Sequence, residues 1–173
     1  MMLKALSKIL LILLPLCTLA HGDKSYPFIK NKGQWDSRIQ YNVLIPNGNL
    51  YLESGGLTYH LIDKSYIKSL HSQNQLPQPD SVQAHGLFLK FEGSNENVRI
   101  TTDVESPYYY NYLVGPKEKH ATWVRSYQKA TYEDLYDGID LDVYQTDYGY
   151  LKYDYIVAPG ADVKYIRTKY NGA

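Results

Sequence analysis

From Arg38 onward, apolar and tyrosine residues alternate with polar ones at a spacing of two, in short runs set off by Gly, Pro, Asn and Asp. That period sends successive side chains to opposite faces of a strand, so it predicts half-buried β-strands. Tyr41 to Ile45 is the first run, and it ends at Pro46-Asn47-Gly48, where Pro fixes φ and Gly accepts positive φ. Asn49 to Glu53 reads as the returning strand. Gly55-Gly56 turns the chain again into Leu57 to Ile62, with Leu57, Tyr59 and Leu61 on one face, and the three runs together predict a meander.

Asp63 to Asn74 has helical spacing at Tyr66, Ile67 and Leu70 with Asp63 as cap, and predicts one short peripheral helix. Pro77 and Pro79 end it in a surface loop over 75–80. Strands resume at Leu87 to Phe91, Asn97 to Thr101 and Tyr108 to Val114, the last placing Tyr108, Tyr110, Tyr112 and Val114 on one side. The strongest hairpin signal joins Ile139 to Gln145 with Tyr150 to Val157 around Thr146 to Gly149, where Gly149 ends the turn. Pro159-Gly160 turns once more into a strand from Val163 to Tyr170, which stops at Asn171-Gly172-Ala173. The expected fold is all-β, an antiparallel sandwich-like domain with one short helix, truncated at its C-terminal edge. Turn spacing varies, which excludes a solenoid or a complete propeller within the chain.

Nineteen Tyr against three Phe suits such a thin fold, because the ring packs across strands while the hydroxyl stays hydrated or bonded at the rim. Eighteen Lys and Arg balance eighteen Asp and Glu, which removes the field that would draw the chain to nucleic acid. Residues 1–22 have the layout of a secretory signal: Lys4 and Lys8, the apolar run Ile9 to Leu16, then small or polar residues around Ala20 and Gly22. The run is shorter than the roughly 20 residues of a membrane span and contains Pro15. The expectation is a cleaved signal, no transmembrane segment, and one β-rich domain over 23–173, secreted or at the cell surface. Cys17 is the only cysteine and leaves with the signal, so stability rests on a packed core and not on disulfides.

Chemistry is sparse. His21, His60, His71, His85 and His120 lack metal-ligand spacing, no serine sits in a nucleophile elbow, and no spacing selects a glycosidase pair among Glu53, Glu92, Glu105 and Glu133. No catalytic residue is expected, and the chain reads as a protein that is not an enzyme. Asp140 and Asp142 share a strand face with Asp137 on the entering turn, an oxygen-rich cluster that could hold calcium or simply be a solvated face. No other cofactor is called for. Trp123 and the stripe Tyr108, Tyr110, Tyr112 offer flat faces for a sugar ring or a peptide, although Val114 on the same side favours packing. Trp35 lies in a turn and is expected to plug the end of a core.

Several segments resemble a family, the N-terminal domain of large secreted Bacteroidetes surface proteins that often precedes β-propeller repeats. They are Phe28 to Trp35, Gly48 to Leu52, Gly56 to Tyr59, Tyr109 to Tyr112, Trp123 to Tyr127, Leu135 to Leu141, Leu151 to Tyr155 and Pro159 to Asp162. The resemblance runs from Phe28 to Ala173, departs at Asp137 where the family usually has Pro, and carries no catalytic residues. It implies a surface module followed in longer members by β repeats and a type IX secretion sorting domain. The resulting expectation is a non-catalytic structural or adhesive module. A carbohydrate-binding module using exposed Tyr and Trp, and a fragment of an extracellular hydrolase, are the alternatives. Expected partners are an extracellular glycan or protein, and a second copy through the C-terminal edge strand.

Overall fold

The computed structural model describes residues 26–63, 83–146 and 150–172. The signal segment expected over 1–22, the expected helix beyond Asp63, the loop at 75–80 and the turn glycine Gly149 lie outside the described residues.

Strands β1 (Phe28–Lys30), β2 (Ile39–Ile45), β3 (Gly48–Glu53), β4 (Gly56–Ile62) and β5 (Ala84–Phe91) precede two long ones, β6 (Arg99–Tyr112) and β7 (Ala121–Tyr136). Strands β8 (Ile139–Gln145), β9 (Leu151–Val157) and β10 (Thr168–Asn171) follow. The antiparallel meander of β2, β3 and β4 forms as alternation predicts, with Leu50 and Leu52 buried in β3 and Tyr51 between them half-exposed, and β5 extends it. A second meander runs through β6, β7, β8 and β9. Short β1 lies between them: Phe28 stands opposite Val43 of β2 on one side and Tyr127 of β7 on the other. Among the described strands it is the only backbone pairing that joins the two meanders.

All ten strands belong to one sheet, in the order β10-β5-β4-β3-β2-β1-β7-β8-β9, with β6 paired to β7 off that path. The expected two-layered packing takes the form of this single sheet curled on itself. Tyr132 of β7 donates its hydroxyl to the Gly56 carbonyl of β4 at 3.3 Å, and its ring meets Phe91 of β5 edge-on at 5.4 Å, although β3, β2 and β1 separate these strands within the sheet. Phe28, Leu50, Leu57, Leu89, Ile139 and Leu141 fill the inner face. Burial of this kind is the main favourable contribution available to a fold of this size. The two ends of the sheet, β9 and β10, do not pair. Tyr153 of β9 lies beside Tyr170 of β10, with Tyr59 and Tyr155 close by.

Two sequence expectations are corrected. The runs at 97–101 and 108–114 contribute to one strand, β6, because β7 also pairs with Thr102, Asp103 and Glu105 between them and a bulge takes up Ser106, Pro107 and Tyr108. The strand expected from Val163 to Tyr170 is a 3₁₀ turn at Val163–Tyr165 followed by β10. The turn forms there because the Asp162 carboxylate accepts from the Lys164 amide. β10 is paired with β5 along one side and leaves only its other side free.

The buried tyrosines predict a sharp alkaline limit. Burial pushes the phenols of Tyr132 and Tyr155 well up; Glu53 reinforces it at Tyr132, and Tyr136, Tyr153 and Tyr170 at Tyr155. A raised folded pKa means the stabilisation is fully present below the unfolded value of about 10 and is lost as pH climbs above it. Each phenol held neutral by the fold costs about 1.4 kcal/mol per pH unit in that window. Urea midpoints should therefore stay level from neutrality to about pH 9 and fall steeply beyond pH 10, with the tyrosinate absorbance of Tyr132 and Tyr155 rising only as the chain unfolds. Free titration of all tyrosines before unfolding would contradict this.

Candidate functional site

Long β6 and β7 carry their paired ends past the core: Tyr127 is the last β7 residue on its face to pack there, and Arg125 and Trp123 beyond it are exposed. Register decides what this arm displays. Glu105 stands opposite Tyr127 and Tyr109 opposite Arg125, so Ser106, Pro107 and Tyr108 share the single partner Ser126. Pro107, which has no amide to give the ladder, lies within this bulge, and Val104, with φ at 56°, lies just before it. Nearer the tip Tyr110 pairs with Val124 and Tyr112 with Ala121, which sets Thr122 and Trp123 together against Asn111.

Trp123 is held there in a left-handed backbone, φ 54°, its amide donating to the Asn111 side-chain oxygen at 3.0 Å. A bulky residue in that region costs on the order of 1–3 kcal/mol. Even so, the side chain it positions is 61 % exposed. Its ring lies against Tyr109, itself 44 % exposed, with centroids 4.2 Å apart and planes 32° from parallel. Beside the rings, Arg125 Nη1 and Glu105 Oε1 pair at 3.1 Å. The site is thus two flat aromatic faces bordered by a guanidinium and a carboxylate, all on strands. Such an arrangement can stack on a ring and hydrogen-bond its substituents.

The opposite face of the arm is structural. Tyr110 and Tyr112 pack with Ile29, Ala121 and Val124, and Trp35 closes over Tyr112 edge-on at 5.2 Å. Burial raises both phenols. The loop presenting Trp35 is fixed by Asn31, whose side chain accepts from the Gly33 and Trp35 amides and donates to the Asp36 and Ile39 carbonyls. Trp35 therefore plugs a cluster, as its turn position predicts. Of the expected stripe, Tyr110 and Tyr112 do pack. Tyr108 is 73 % exposed and Val114 lies beyond the strand, so the four do not act as one face.

The structure does not gather the three aspartates into one site. Asp140 accepts from the Asp134 amide at 2.7 Å and so closes the bulge in β7, where Asp134 has φ 50°. Asp142 accepts from the Thr131 hydroxyl at 2.6 Å and pairs with Lys129 at 2.7 Å. Asp137 lines a cleft of about 580 Å³ with Asn95, Tyr136 and Tyr165. Among the described residues no three His, Cys, Asp or Glu side chains stand close enough to share a metal ion. Three of the carboxylates weighed for hydrolysis are engaged: Glu53 with Thr58, Glu133 with Thr101 and Arg99, Glu105 with Arg125. A second cleft, of about 670 Å³, lies between the 31–40 loop and Lys119. Among the described residues no helix is long and apolar enough to cross a membrane.

Sequence reasoning named Trp123, missed Tyr109 and Arg125, and weighed Glu105 only as a hydrolytic carboxylate; the face they share depends on the bulge. Pro107 inside a strand-like run was the available signal. Compared with known sequences, residues 28–173 match the family described as a domain of unknown function (DUF7948). No curated protein matches the chain, and no solved structure does.

Proposed function

Since the chain belongs to the DUF7948 family of domains of unknown function, we propose that it is a non-catalytic adhesive module of an exported or cell-surface protein, gripping its ligand on Trp123 and Tyr109. The observation that carries this is Trp123: strained backbone, high exposure and a stacked partner on a rigid hairpin. Stored strain concentrates where a side chain must be aimed for use. A core residue would have been placed at lower cost.

The ligand class favoured by the site is a glycan. Sugar rings offer an apolar face to stack on Trp123 and hydroxyls within reach of a guanidinium and a carboxylate, and Arg125 and Glu105 supply both. Export rests on the layout of residues 1–22. The resemblance to Bacteroidetes surface proteins supports a place ahead of further β repeats and a sorting domain.

A glycan array followed by tryptophan fluorescence titration tests the binding role. Trp123→Ala should weaken a captured glycan by about 2 kcal/mol, roughly thirtyfold. Trp123→Gly separates this role from a structural one. Glycine relieves the backbone strain and loses only the Tyr109 stack, so stability should stay within about 1 kcal/mol of the parent while binding disappears. A loss of about 3–5 kcal/mol on that change would make Trp123 a packing residue and remove the basis of the proposal.

A further inference from the structure

The β9 end of the sheet has a free edge whose side chains complement themselves. In the turn before β9 the Thr146 amide donates to the Tyr150 carbonyl, and after it the Ala158 amide donates to the Gly138 carbonyl. These bonds fix the phase of the unbroken β8–β9 ladder. Lys152, Asp154 and Ile156 turn their backbone groups toward β8, and Leu151, Tyr153, Tyr155 and Val157 turn theirs outward. Among the described strands none pairs with that side.

We propose that this edge docks a second copy of the chain, β9 against β9 in antiparallel register with Tyr153 on the twofold axis. Outward-facing residues then form the hydrogen-bonded pairs, Tyr153 with Tyr153 and Leu151 with Tyr155 of the second copy. On the outer face the same register sets Lys152 against Asp154 and Tyr150 against Ile156. Each charge meets its opposite and each apolar side chain meets another, with Tyr150 72 % and Ile156 51 % exposed in the single chain. Directly opposed strand residues interact strongly enough for this to select a register. A shift by one pair in one direction puts Lys152 on Lys152, and in the other Asp154 on Asp154. A larger shift puts a charge against Tyr150 or Ile156. Within one copy Lys152 and Asp154 are held at 3.1 Å and share the Tyr144 hydroxyl, so both are already oriented on the outer face. An unbulged edge of seven residues that no described strand pairs is a ready template for such pairing. This inference is independent of the aromatic site.

Sedimentation velocity of the exported chain, from low to high micromolar concentration, reads the result. The parent should pass from monomer to dimer. Lys152→Asp and Asp154→Lys should each shift the midpoint at least tenfold toward monomer, and the double exchange should restore it. Tyr153→Pro removes an outward amide without touching the β8 ladder and should abolish the dimer, with circular dichroism unchanged. A parent that is monomeric throughout overturns the proposal. So does a dimer indifferent to both single exchanges and to Tyr153→Pro, since it would use another surface.

Discussion

Truncating Tyr132 to alanine is expected to lower the unfolding free energy by about 3–5 kcal/mol, the largest effect of any single change considered for this fold. Tyr132 is fully buried, meets Phe91 edge-on and bonds the Gly56 carbonyl from across the curl. It is thus a contact between parts of the sheet that the ladder itself keeps apart. Its removal leaves a cavity between the faces, lined by side chains already in place on strands that have little room to collapse. Tyr132→Phe keeps the ring and loses only the hydroxyl bond, and should cost about 1 kcal/mol. Chemical denaturation of both variants checks the pair. Equal losses would mean that the hydroxyl, and not the ring, holds the curl.

The second large effect is expected at Gly48, where β2 turns into β3. Its φ is 152°, and a Cβ there would stand 1.9 Å from the His60 carbonyl oxygen and 2.9 Å from its carbon. Both atoms are backbone of the paired strand β4, so no rotamer change relieves the clash. Gly48→Ala must pry β3 from β4 and should cost at the upper end of about 1–3 kcal/mol. Gly33→Ala is the control: φ is 103° but nothing lies within 4 Å, so it reports backbone strain alone, about 1 kcal/mol. Thermal midpoints of the two variants separate steric overlap from dihedral preference. A Gly48 variant no worse than the Gly33 variant would place the strands further apart than described.

The parts of the fold legible in the sequence are those where alternation runs uninterrupted between turn residues. β3 shows this in Gly48 to Glu53, and β8 in Ile139, Leu141 and Val143, each buried and each separated by a half-exposed neighbour. The longest strand was invisible for the opposite reason. β7 interrupts its own period twice, at Trp123 and at Asp134, and both residues have positive φ. Past each of them the buried positions change parity, so a reader holding to one phase sees noise. β6 suffered likewise, with Ser106-Pro107 reading as a gap when it belongs to a bulge. The same feature hid the candidate site. A strict period of two groups Tyr108 with Tyr110 and Tyr112, but three residues opposite Ser126 break that grouping and deliver Tyr109 to Trp123. Irregular backbone is where local pattern loses its predictive power, and here it is also where the exposed rings are aimed.

The position of β1 has a consequence for how the chain acquires this structure. Each meander assembles from neighbours in sequence, whereas Phe28 waits for Tyr127, and pairing across so long a loop carries an entropic penalty that slows it. During synthesis at roughly 5–20 residues per second, the first strand to leave the ribosome stays without its second partner for many seconds. The keystone is made first and waits for β7 to set it, which leaves the nascent protein open to capture by chaperones until β7 emerges.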